Sequence, residues 1–154
     1  MAYPIIEQIA QAIKTRLESV TVANSYETEV EEVVRPTRVG EYVPRDAIIV
    51  LTQDNPAKGD DNQNQLHSQW TQPFYADYHC KPSDRSTVPI ETTINAARSD
   101  IEKAIMTDGT FGGLALYSII QAPVLDVFDD FATVTVVIDV VYRTLETNPY
   151  STGA

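Results

Sequence analysis

The sequence predicts an α+β fold: a mostly antiparallel sheet of about five strands with two helices packed on one face. Two stretches carry apolar residues at steps of three or four, the spacing of a helix that buries one side. Five others alternate at a step of two or run apolar over a short length, as strands do. Their order is helix, three strands, helix, two strands, which suits a sheet covered by helices.

In the first helix Ile5, Ile9, Ile13, Leu17 and Val20 form the apolar stripe, with Glu7, Gln11, Lys14 and Glu18 between them. Pro4 suits its first turn. Residues 26–35 alternate, with Glu27, Glu29 and Glu31 on one side and Tyr26, Thr28, Val30 and Val34 on the other; Glu32 interrupts the second face. Residues 47–51 are a short, wholly apolar strand that wants cover on both faces. Residues 66–80 place Leu66, Trp70, Phe74, Ala76, Tyr78 and Cys80 on one face, and Pro73 predicts an edge or bulged strand.

The second helix follows Ser86 and Thr87, either of which suits a cap, with Pro89 in the first turn and a stripe of Ile90, Ile94, Ala97, Ile101, Ala104 and Ile105. Gly109 and Gly112-Gly113 bound its end. Residues 114–121 are a strand, and 131–145 are the longest one. There Val134, Val136, Ile138, Val140 and Tyr142 face one way, while Thr133, Thr135, Val137, Asp139, Val141 and Arg143 form a mixed reverse face. Residues 1–145 thus make one domain. A polar loop, TQDNPAKGDDNQNQ at 52–65, is long for a compact domain. PTRVGEYVP at 36–44 is a second loop, and residues 146–154 form a tail without apolar periodicity.

A chain of 154 residues suits one domain with a real core. Its single cysteine, Cys80, excludes an internal disulfide framework or a thiolate-rich metal site. Twenty-two acidic residues against eleven basic ones give a net charge of -11, opposite to what a stable grip on nucleic acid requires. No apolar run approaches the roughly 18–20 residues that span a bilayer, and Glu7 and Gln8 interrupt any signal-like start. The expectation is a cytosolic, reduced, soluble protein with no membrane partner.

Catalytic patterns find little footing. Asp54 and Gly59 occupy two positions of a calcium loop, but Pro56, Lys58 and Gln65 occupy three ligand positions. His67 and His79 share a strand face, about 40 Å apart if the strand is straight. Cys80 reads as a small buried hydrophobe. No G-x-S-x-G frames a serine, and Gly112-Gly113 lacks the spacing of a phosphate cradle. Asp126, Asp129 and Asp130, in PVLDVFDDF, read as a hairpin connection with solvated charge. The expectation is a protein that is not an enzyme, with no catalytic, cofactor-binding or metal-binding residues.

Glu27, Glu29, Glu31 and Glu32 are more informative, because like charges on one strand face repel. Either they keep an exposed edge from pairing with other chains, or they form a surface used against a basic partner or kept unfriendly to polyanions. Arg35, Arg38 and Arg45 follow as a local basic cluster. An acidic strip and a basic loop on one small domain suit head-to-tail self-association, which closes into a ring.

Residues 100–115, DIEKAIMTDGTFGGLA, resemble a segment of the tail-terminator (tail completion, or minor tail) proteins of long-tailed bacteriophages. There a D-I-x-x-A-I helix is followed by an aspartate, a short turn and G-G-L-A leading into a strand. The ending is similar too, with a valine-rich strand closing on Tyr142-Arg143-Thr144 and then Asn148-Pro149-Tyr150. The opening helix, PIIEQIAQAIKTRLESV, also fits. The resemblance implies a small α/β fold and a homo-oligomer, a hexameric ring that caps the tail tube, ends its polymerisation and joins the tail to the head or neck. It implies as partners the tail tube protein, a neck or connector protein, and a sheath protein where the tail contracts, with DNA passing through without stable binding. The protein would be made in the host cytoplasm and reside in the virion tail or neck.

On that reading Arg35, Arg38, Arg45, Asp54, Lys58, Asp60 and Asp61 are expected at subunit or tube contacts, with Glu27, Glu29, Glu31 and Glu32 facing the lumen or a neighbour. A head-completion or adaptor ring of the neck is the nearest alternative, and a small cytosolic enzyme or ligand-binding domain a more distant one.

Overall fold

The computed structural model describes residues 2–37, 45–59, 66–81, 87–129 and 131–153. It is α+β, with two helices and a seven-stranded mixed sheet. In chain order the elements are α1 (Ile5–Glu18), a 3-10 turn (Val22–Asn24), β1 (Glu32–Val34), β2 (Ile48–Gln53), β3 (Ala57–Lys58), β4 (His67–Cys80), α2 (Ile90–Met106), β5 (Tyr117–Ile120), β6 (Val124–Val127) and β7 (Ala132–Leu145). The main path of the sheet runs β1-β2-β4-β7-β5, with β3 added to β4 and β6 to β7.

The core follows from two periodicities meeting. α1 buries Ile5, Ile9, Ile13 and Leu17, and α2 buries Ile94, Ala97, Ile101 and Ile105. Both stripes join one face of the long strands, where Phe74, Ala76 and Tyr78 of β4 lie beside Ile138, Val136 and Val134 of β7. The reverse face stays half-exposed along Thr133, Thr135, Val137 and Asp139.

Several elements differ from the sequence expectation. The sheet has seven strands where about five were expected, and β1 pairs with β2 in parallel. Alternating burial does run through residues 27–31, but only Glu32–Val34 joins the ladder. The preceding backbone bonds elsewhere: Thr28 N–H donates to Asp100 at 2.8 Å, Val30 N–H to Val20 O at 2.9 Å and Glu31 N–H to Ala47 O at 2.8 Å. Loop 52–65 is shortened at its start, since β2 continues to Gln53 and Ala57–Lys58 pairs with β4. PVLDVFDDF contains β6, antiparallel to β7, rather than only a connection.

Pro73 sits inside β4, between β2 and β7, and not on an edge. Its carbonyl accepts from Asp54 N–H at 3.1 Å, so its nitrogen points the same way, just beyond the end of β2 at Gln53. No ladder donor is missed there. Gln72, 2% exposed, closes the gap by donating to the carbonyls of Asp54 at 2.5 Å and Pro73 at 3.0 Å. Leu66, expected on the apolar face, precedes the strand and is exposed. α2 begins directly after Pro89 without a side-chain cap, so Thr87 does not cap it; Ser86 lies outside the described residues.

The tail packs despite its lack of periodicity. Ile5 N–H, an otherwise unpaired donor at the start of α1, donates to Pro149 O at 3.1 Å, and Leu145 N–H donates to Ser151 O at 3.0 Å. Gly153 has a φ of 70°, and a Cβ added there would stand 2.5 Å from His67 Nε2, so a larger residue would be strained and would have to displace that ring.

Truncating the shared core should be costly. Phe74→Ala should lose about 3–5 kcal/mol and Ile138→Ala about 2–5 kcal/mol in urea unfolding. Ile119→Ala, on the exposed edge, should stay within about 0.5 kcal/mol. Equal losses at all three would contradict the burial described.

Candidate functional site

The acidic strip stands at the end of the sheet where β2 begins and β4 ends. Asp100, on α2 and 7% exposed, holds it by accepting from Thr28 N–H. This fixes Glu27 and Glu29 on either side of a buried Thr28. Glu29 accepts from Val22 N–H at 2.8 Å, and Ala47 N–H donates to His79 O at 2.9 Å, tying the start of β2 to β4. Ala47 adopts a left-handed φ of 58°, a conformation that costs a non-glycine residue energy and that the surrounding bonds maintain.

These segments enclose an open cavity of about 650 Å³. Exposed Glu27, Glu29, Glu31 and Asp46 rim it, while buried Tyr78 and Cys80 form its floor. Val88, Thr92 and Ala96 supply the wall from α2 and the residues before it, and Lys81 is the one cation on the lining among the described residues. Burial pushes the Tyr78 phenol well above its ordinary value, reinforced by Cys80, Asp46 and Glu31. Burial raises the Cys80 thiol as well, with Asp46 adding to it. Both groups therefore stay neutral at physiological pH, which suits hydrogen bonding and not nucleophilic attack.

The expected interface residues are spread over the molecule and mostly engaged within the chain. Arg35 grips Glu7 of α1 with two bonds, 2.7 and 3.0 Å, joining β1 to the helix layer. Arg45 pairs with Glu32, so the basic segment and the acidic strip meet inside one chain. Asp54 accepts from Tyr75 Oη at 2.7 Å and from Asn55 N–H, and these bonds hold its carboxyl below the usual range. Lys58 lies over the Trp70 ring and 3.5 Å from Glu146, whose carboxyl is lowered first by the Ser68 hydroxyl and then by Lys58. Arg38, Asp60 and Asp61 lie outside the described residues, as does Asp130.

Glu27, Glu29 and Glu31 are exposed with Thr28 and Val30 buried between them, as the alternation in sequence suggests, whereas nothing in the sequence marked Asp46, Tyr78 or Asp100 as their neighbours. The only signal for Tyr78 was a polar tip at a core position near a strand end. The two histidines fall at opposite ends of β4, opposite Leu145 and Thr133. Among the described residues no group of three or more histidines, cysteines and carboxylates is arranged to hold a metal ion, and no helix is long and apolar enough to cross a membrane.

The segment 100–115 has a clear structural role. Asp108 receives Thr110 N–H and Oγ1–H, Gly112 N–H and Arg16, which together hold its carboxyl far below the ordinary range, the Thr110 hydroxyl contributing most. Gly112 and Gly113, at φ of 71° and 87°, supply the left-handed turn into β5. No protein-family model matches the chain, and no curated protein matches it.

The Glu7 carboxyl is lowered chiefly by its bonds to Arg35, against an opposing push from burial. A folded-state value below the unfolded one means its stabilisation is complete above the ordinary 4.5 and disappears as pH falls through the folded value. Glu7→Gln should therefore be less stable at neutral pH and lose less on acidification, measured as urea midpoints between roughly pH 7 and pH 3. Parallel curves for the two proteins would mean that the clamp carries no acid sensitivity.

Proposed function

We propose that this is a structural virion protein whose copies form a hexameric ring, cap the tail tube of a long-tailed bacteriophage, end its polymerisation and join the tail to the head or neck. The two short motifs at residues 100–115 and 142–150 support this reading. The observation that carries it is the free edge formed by β5 and β6. Both pair with β7, and among the described residues no strand pairs with their far side. Along it Tyr117, Ile119, Val124, Leu125, Val127 and Phe128 are each about half exposed, from 45% at Ile119 to 53% at Val124. An unpaired apolar edge of this length favours burial against another chain.

At the opposite edge lies β1, preceded by the acidic strip. Two unlike edges suit a head-to-tail contact, which closes into a ring when the rotation per subunit allows. The tail tube protein, a neck or connector protein and, in contractile tails, a sheath protein would meet such a ring. Its residence would be the virion tail or neck. With a net charge of -11 per chain, a lumen carrying part of that charge repels DNA and lets it pass. The cavity of about 650 Å³ favours a second reading, a small ligand-binding domain.

Native mass spectrometry of the chain alone and with purified tail tubes tests the first reading. Rings bound to tube ends are expected, whereas a monomer that ignores tubes would sink it. Ile119→Lys combined with Leu125→Lys should abolish rings while leaving the circular dichroism of the monomer unchanged. Replacing Glu27, Glu29, Glu31 and Glu32 with glutamine should leave ring assembly intact and slow genome ejection; an unchanged ejection rate would remove the lumen assignment.

A further inference from the structure

The cavity behind the acidic strip is built for more than repulsion. Four carboxylates and one ammonium line it, so the lining is net negative, and Glu27 and Glu31 accept no hydrogen bond within the described residues. Tyr78 supplies an independent observation. It is 4% exposed and lines this cavity, yet its hydroxyl has no hydrogen-bond partner among the described residues. The residue is buried but its oxygen opens on the cavity, and a phenol can accept from an N–H donor that enters there.

We infer that the cavity takes the basic side chain of a partner protein, an arginine or lysine whose N–H groups donate to the Tyr78 oxygen and to the rim carboxylates. The methylene stem would lie along Val88 and Ala96, keeping the charged head among the acids. An extended organic cation fits better than a metal ion, because these acids do not gather three groups around one point. Among the described residues most of the chain's own cations are engaged with its own carboxylates, which favours a separate protein over a second copy as the source. Arg16, Arg35, Arg45, Lys58 and Arg98 each already hold a carboxylate of their own chain.

Assigning the occupant to a partner protein rests on the joining role proposed above. The test uses the full chain, labelled with 15N, and two probes of equal charge: the peptide Ac-Gly-Arg-Gly-Arg-Gly-NH2 and putrescine. The peptide should shift the amides of Tyr78, Cys80 and Lys81 and bind tighter than putrescine. Tyr78→Phe, which removes only the hydroxyl, should weaken the peptide about fivefold, and Glu29→Gln with Glu31→Gln about tenfold. The variants' own spectra report whether each remains folded.

Shifts spread equally to Asp126 and Asp129, or an affinity untouched by Tyr78→Phe and by the glutamine pair, would overturn the site. Putrescine binding as tightly as the peptide would overturn the protein partner in favour of a free polyamine. Rings that cap tubes while the peptide fails to bind would overturn this inference alone. Peptide binding by a chain that never forms rings would overturn the ring alone.

Discussion

Pairing of β4 with β7 is the constraint on which the other elements depend. Both strands have 14 residues and pair without a break from His67 opposite Leu145 to Cys80 opposite Ala132. This register places the alternate apolar residues of both strands on one face, wide enough for two helices. A slip of one residue would turn that whole set outward. β2 and β3 add to the free side of β4, while β5 and β6 add to the free side of β7. Even Pro73 obeys the ladder, because its missing donor falls where β2 has already ended.

Around this ladder, order at the ends comes from single polar tethers rather than more hydrophobic area. Asp100 holds the strip to α2, Asp108 folds the turn after it, and Arg35 ties β1 to Glu7. Pro149 and Gly153 bring the tail back against α1 and β4. Apart from the local Asp108 turn, these tethers join segments far apart in sequence and close long loops at little further entropic cost once the ladder has formed.

That division explains what the sequence discloses. Both helices and the two long strands are legible because a repeated period announces them over 14 or more residues. The parallel pairing of β1 with β2 is not, since alternation has the same form in either direction. β6 is hidden by its length of four residues and by the aspartate at its centre, whose charge reads as a solvated turn. Tail packing leaves no periodic trace because it consists of backbone bonds. The glutamates of the strip were visible as a pattern, but Asp46 reaches the same cavity from the turn before β2, and Tyr78 and Cys80 from β4. Only tertiary structure brings them together.

The backbone tethers also decide what the strip does electrostatically. Free side chains on a flexible loop would spread apart and relieve their repulsion, as exposed carboxylates in water readily do. Here Thr28, Glu31 and Ala47 are bonded to α2, to the residue before β2 and to β4, so the backbone that carries the carboxylates is fixed around the cavity rim. Arg45 neutralises Glu32 but not the three glutamates that rim the cavity. The repulsion is therefore built into the fold and offset by the core beneath it. Any cation entering the cavity reduces that repulsion without first having to assemble the site, and it does so most effectively at low ionic strength, where screening is weakest.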